Sequence, residues 1–183
     1  FNNKILKFLP SRMNVYGEQL DVIPVDKETK LVNQEEDNKL VAALREPMPD
    51  ELPMQEESKA KPRAIQVKGK WTYPRDRRVA FRALERAGYK CELDPDHLTF
   101  IRKGTDIPYT EPHHLIPMAY QDMFDVSLDV EENIVSLCSN CHNQVHYGED
   151  ANNLIRKLYG QRSKLLKAIG VNISEEAVLK MYE

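Results

Sequence analysis

All three cysteines and all five histidines of this 183-residue chain fall between Cys91 and His146. Side chains that bind metal rarely crowd together without a metal to hold. A chain that confines them to one window of 56 residues must fold so that they meet. The densest part is Glu111 to Gly148, EPHHLIPMAYQDMFDVSLDVEENIVSLCSNCHNQVHYG, with four of the histidines and two of the cysteines.

Cysteine usage indicates what kind of metal site to expect. An odd count that includes Cys138-x-x-Cys141 suits zinc in a reducing cytoplasm better than a disulfide framework. Composition agrees: 41% hydrophobic and 30% charged residues fit a soluble domain with a polar extension. No apolar run approaches the ~20 residues that span a bilayer. The start, FNNKILKFLP, lacks the apolar region and cleavage site of a signal peptide. We therefore expect a cytoplasmic protein with no membrane association. A first residue of Phe rather than Met leads us to expect a piece of a longer protein, with an upstream specificity domain.

The net charge of −3 conceals a strong asymmetry. Residues 1–62 carry 9 Lys/Arg against 12 Asp/Glu, residues 63–90 carry 9 against 2, and residues 91–183 carry 8 against 15. A basic block beside the metal-rich window is what a phosphate-tracking surface needs, although a solvated helix face would look the same.

Taken in order, residues 1–62 read as an N-terminal extension and linker. A weak hairpin around Gly17 (Arg12–Tyr16 with Leu20–Val25) and a short helix at Gln34–Arg45 are expected there. The acidic, proline-bearing stretch 34–62 is expected to be partly disordered. Residues 63–183 read as one domain with C-terminal helices. A helix opens at Asp76 and closes at Gly88, with Val79, Ala80, Ala83, Leu84 and Ala87 as its apolar stripe. Arg75, Arg77, Arg78 and Arg82 lie off that stripe and are candidate nucleic-acid-binding residues. Leu98–Arg102 and Ile107–Tyr109 suggest strands joined by a turn at Lys103-Gly104. Next come a strand at His113–Ile116, a loop of about fifteen residues, which is long for a plain connection, a strand at Asn133–Leu137 and a helix at Cys141–Tyr147. That order is a ββα unit. Helices fill the tail, the first ending at Gly170 and the last capped by Ser174.

The spacing divides the window into two constellations. Cys138 and Cys141 supply half of a tetrahedral site and Cys91 a third sulfur. The fourth ligand is His97 or its rival Asp94, with His97 preferred because structural zinc favours sulfur and imidazole. Such a closed site is structural. His142 and His146 stand one helical turn apart and share a face. His113 and His114 are neighbours on a strand and point oppositely, so one suits a metal and the other a general base.

These residues resemble those of the HNH endonucleases, the ββα-metal nucleases. The resemblance rests on Glu111-Pro-His-His-Leu-Ile-Pro and on Glu132-Asn-Ile-Val-Ser-Leu-Cys-Ser-Asn-Cys-His-Asn-Gln-Val-His. The lead-in RDRRVAFRALERAGYKCELDPDHLTF is similar to that of HNH domains attached to modification-dependent restriction enzymes. The resemblance implies an α+β fold: a ββα-metal core with a structural zinc and flanking helices. It implies that His114 is the general base, Asn133 the residue that holds the loop and the base, and His142 a catalytic metal ligand joined by His146 and His113. One divalent ion would serve catalysis, magnesium or manganese ahead of nickel or zinc. The chain departs from the usual pattern at Cys91-Glu-Leu-Asp94, where relatives carry Cys-x-x-Cys. DNA is the implied substrate, with a homodimer for double-strand cleavage. A zinc-stabilised DNA-binding module without cleavage is the alternative, and RNA cleavage or mobile-element homing by the same site is a third.

Overall fold

The computed structural model describes residues 58–67 and 70–183. The hairpin expected around Gly17, the helix expected at Gln34–Arg45 and nearly all of the expected linker lie outside the described residues. The last linker residues are tied down: Ser127 N donates to Lys59 O (2.8 Å), and Ala60 bridges to Val126.

Two strands, β1 (Ile65–Val67) and β2 (Lys70–Thr72), form an antiparallel ribbon. Helix α1 (Arg77–Arg86) follows. Asp76 caps it by accepting from Arg78 N at 3.0 Å. Its end is a Schellman motif: Gly88 N donates to Glu85 O and Tyr89 N to Leu84 O, with Gly88 at φ +60°. Val79, Ala83 and Leu84 are buried as their spacing predicts, and Phe81 joins them.

Strand β3 (Glu111–His114) pairs antiparallel with β4 (Ile134–Leu137), His113 facing Val135 and His114 facing Ile134. Helix α2 (Ser139–Tyr147) follows directly, then α3 (Ala151–Ala168) and α4 (Glu175–Leu179). The order strand, strand, helix stands as expected, with boundaries shifted by one or two residues. The core lies between this unit and α3, where Leu115, Leu137, Val145, Ile155 and Leu158 lose essentially all contact with water. No helix among the described residues is long and apolar enough to cross a membrane.

The strands expected at Leu98–Arg102 and Ile107–Tyr109 shrink to one bridge, Ile101 with Pro108, around the expected turn. Pro108 cannot donate to a ladder, and the outward side chains Leu98 and Phe100 meet no second layer. The long loop between β3 and β4 is ordered by buried amides. Gln121 donates to Val126 O (2.8 Å) and accepts from Leu128 N (2.7 Å), which joins the ends of a 3₁₀ turn at Met118–Met123 to the chain that returns.

Glu92 links α3 to the sheet. Its carboxylate accepts from Ser136 N (2.6 Å) and pairs with the buried Arg162 of α3, which also donates to Ile134 O (3.2 Å). We expect Glu92→Ala, which strands the Arg162 charge, to destabilise the fold by about 3 kcal/mol. Urea unfolding should show a lower midpoint at unchanged slope; a midpoint equal to wild type would refute this role.

Candidate metal centres and active site

The cysteine cluster assembles where three elements meet. Cys91 follows the close of α1, and Cys138 and Cys141 open α2, the Cys138 sulfur accepting from Cys141 N at 3.5 Å. His97 turns its Nδ1 toward Cys138 Sγ (3.5 Å) and Cys141 Sγ (3.3 Å). One donor atom from each of Cys91, His97, Cys138 and Cys141 lies within 4.8 Å of the others. A tetrahedral zinc with thiolate bonds of ~2.3 Å holds its sulfurs roughly 3.8 Å apart, so this donor set fits zinc in both chemistry and spacing. Asp94 lies 3.5 Å from His97 Nε2. Of the two candidates for the fourth ligand, His97 is the one whose nitrogen falls within the four-residue cluster.

The thiols themselves call for a cation. Burial pushes the Cys91 thiol up, but N–H groups of Cys138 and Asp94 and the His97 ring outweigh it and bring it down to about 7. Burial raises Cys141, and hydrogen bonding to Cys138 and the charge of Cys91 raise it further. Thiolates this close repel one another unless a divalent ion sits among them.

The second cluster joins β3 to α2. His113, His142 and His146 each bring a ring nitrogen within 4.8 Å of the others, with ring centroids 4.9 to 5.1 Å apart. Burial first, then the neighbouring imidazoles, lowers the pKa of His113 to about 3, and the same causes lower His146. Neutral imidazoles are the form that binds a metal. His142 Nδ1 pairs with Glu111 Oε2, and Ser139 donates to the other carboxylate oxygen (2.9 Å). The His142 bond holds the Glu111 carboxyl below the usual range against the opposing effect of burial. On His113, Nε2 lies 2.8 Å from the Tyr182 hydroxyl, which donates to Leu115 O (2.7 Å).

His114 points away from this trio, as alternation on a strand requires. Its Nε2 lies 3.1 Å from Asp129 Oδ1. Asp129 is buried and fixed from the other side by Asp76 N (2.6 Å). Asn133 is fully buried: its Oδ1 accepts from Ile116 N (2.8 Å), and its Nδ2 donates to Ile116 O and Leu128 O (both 2.9 Å).

The sequence-derived residues thus meet as two groups, His113 with His142 and His146, and Cys91 with His97, Cys138 and Cys141. The candidate nucleic-acid contacts fare unevenly. Arg82 pairs with Glu131 (2.5 Å), which Arg86 also reaches (2.6 Å). Arg78 pairs with Asp76 (3.0 Å), Arg77 is half-buried, and Arg75 is exposed. Sequence reasoning gave no role to Glu111, Asp129 or Tyr182. Only Glu111, three residues before His114, carried a local signal: a carboxylate at the head of the motif.

Two substitutions distinguish the candidates for the fourth ligand. We expect His97→Ala to lose about one zinc per chain by atomic absorption and to lower the melting temperature, while Asp94→Ala keeps the zinc and weakens it only modestly. Full zinc in His97→Ala would exclude His97 as a ligand.

The sequence is similar to those of known nucleases. The HNH endonuclease family model matches residues 95–148. The chain is 34% identical over 95 residues to the type IV methyl-directed restriction enzyme EcoKMcrA of Escherichia coli K12, a match that covers 52% of this chain and 32% of that one. The chain therefore spans about a third of the length of this relative. The solved structure of the type IV phosphorothioation-dependent restriction endonuclease ScoMcrA matches with a TM-score of 0.41 and 21% identity, over 80% of this chain and 24% of that one. The segment that matches the HNH endonuclease family model, 95–148, is the one that carries the three-histidine cluster.

Proposed function

We propose that residues 63–183 form a metal-dependent DNA endonuclease domain with a ββα-metal core, the cleavage module of a restriction or phage-defence protein. The observation that carries this reading is the placement of His114. It stands on the strand that also bears His113, is held by a buried carboxylate, and faces away from the histidine trio.

Asp129 accepts from His114 Nε2, so the proton resides there and Nδ1 keeps its lone pair. That nitrogen is the general base: it takes a proton from water, which attacks the phosphorus in line. Asp129 also stabilises the imidazolium that results. Asn133 fixes the loop on either side and so sets where His114 can stand. His113, His142 and His146 would hold one divalent ion, with Glu111 orienting His142 and Tyr182 orienting His113. When bound, such an ion stabilises charge developing on the phosphate and on the leaving 3′ oxygen. Three imidazoles suit zinc or nickel as well as magnesium or manganese, and the nicking assay compares these ions. A single His114 site cuts one strand, so a double-strand break takes two copies or two visits. The methyl-directed relative makes methylated duplex the first substrate to try, with recognition of the modification lying in a further domain or partner.

Plasmid nicking with manganese, nickel or magnesium tests the proposal. We expect His114→Ala to lower the rate at least ~100-fold with zinc content and fold intact. A wild type that cuts neither methylated nor unmethylated DNA would leave only a zinc-stabilised binding module. An unimpaired His114→Ala would remove His114 from the mechanism. Separately, Glu111→Ala should raise the manganese concentration for half-maximal cleavage ~10- to 100-fold; an unchanged requirement would detach Glu111 from the metal site.

A further inference from the structure

Trp71 is the chain's single tryptophan, and it stands 72% exposed on the β1–β2 ribbon. An exposed indole is a large apolar surface left in water, and aromatic side chains of this kind concentrate where another molecule binds. Ile65, on the paired strand, is exposed as well. Among the described residues the ribbon has no third strand. Its surroundings are cationic: residues 61–78 contain seven Lys/Arg and one acid, Asp76, which Arg78 already pairs.

The ribbon is fastened to the loop that follows His114. The Tyr73 hydroxyl donates to Asp122, and Lys61 lies 3.5 Å from the same carboxylate. A cavity of about 270 Å³ runs along this seam, lined by Trp71, Tyr73, Arg75 and Met118 among others. Downstream, Asp76 N donates to Asp129, the carboxylate that holds His114. The five residues from Trp71 to Asp76 span at most roughly 17 Å of extended chain, about five nucleotide steps of ~3.4 Å along one strand. With the Asp76–Asp129 contact at 2.6 Å and the Asp129–His114 contact at 3.1 Å, the Trp71 backbone stands within roughly 25 Å of His114, well under the length of two helical turns of duplex. A two-stranded ribbon also fits the major groove, which is about 12 Å wide.

We infer that the ribbon, residues 65–72, is a DNA-docking element of this domain, with Trp71 covered by the duplex and the exposed Arg63 and Arg75 at its phosphates. The inference rests on the DNA-nuclease reading above and adds the surface by which the substrate is seated. Cations at the phosphates give sequence-tolerant affinity, which suits a cleavage module that leaves base recognition to another element.

Because Trp71 is the only indole, its fluorescence reports on this surface alone. The experiment uses the full chain carrying His114→Ala, so that DNA stays intact, and a labelled duplex of about two helical turns. Binding is followed by anisotropy and Trp71 accessibility by acrylamide quenching. Saturating DNA should lower the quenching constant several-fold. Trp71→Ala should weaken binding about tenfold, as loss of one aromatic contact to nucleic acid does, and Trp71→Phe should recover most of it. Unchanged quenching with DNA bound would overturn the inference. So would equal affinity in Trp71→Ala, or protection that appears on raising protein concentration without DNA, which would assign the ribbon to a second copy of the chain. DNA that binds the His114→Ala chain and leaves Trp71 accessible defeats the ribbon alone. DNA that neither binds that chain nor is cut by the wild type defeats the nuclease reading with it.

Discussion

The three hydrogen bonds of the Asn133 side chain hold the centre of this domain together. A buried primary amide is costly unless its donors and acceptor are satisfied, and the Ile116 and Leu128 backbone groups satisfy them here. These bonds close the long connection between β3 and β4 at its base. Leu115 N adds a fourth tie by donating to Asn133 O (2.8 Å). The strand register follows, and with it the face on which each histidine emerges. A slip of one residue would exchange His113 and His114 between the two sides of the sheet, so a polar side chain in the core decides which imidazole is buried among ligands.

Helix α2 carries members of both clusters on adjacent residues. Cys141 turns toward the sulfur group and His142 toward the histidines, about 100° apart on a helix of 3.6 residues per turn. Glu111 adds a second connection, because its carboxylate is shared by Ser139, inside the Cys-x-x-Cys turn, and by His142. The two clusters are held in one rigid frame. Precision of this kind suits chemistry in which small displacements of a ligand or base are expensive.

What the sequence reveals and what it hides divide along sequence separation. The Asp76 cap, the Gly88 and Gly170 stops, the Cys-x-x-Cys turn and the His-x-x-x-His face are local patterns, and each appears where its spacing places it. The supports are different. Asp129 meets His114 across fifteen residues, Glu111 meets His142 across thirty-one, and Tyr182 meets His113 across sixty-nine. No periodicity announces such pairs, since their partners are chosen by packing. The same reason explains Arg82, whose position off the apolar stripe suggests solvent but whose charge is met by Glu131 from another element. The hairpin at 98–109 shows the opposite failure, strand-like composition with nothing for its outer face to cover.

The Tyr182 hydroxyl has one proton, and its short contact with Leu115 O uses it. The same oxygen lies 2.8 Å from His113 Nε2 and so ties the imidazole to the C-terminal turn. The tyrosine belongs to the turn after α4, whose Val178 and Leu179 are seated in the core. Docking of the C-terminal helix and the placement of a β3 histidine are then thermodynamically linked. Whatever strengthens one must strengthen the other by the same free energy.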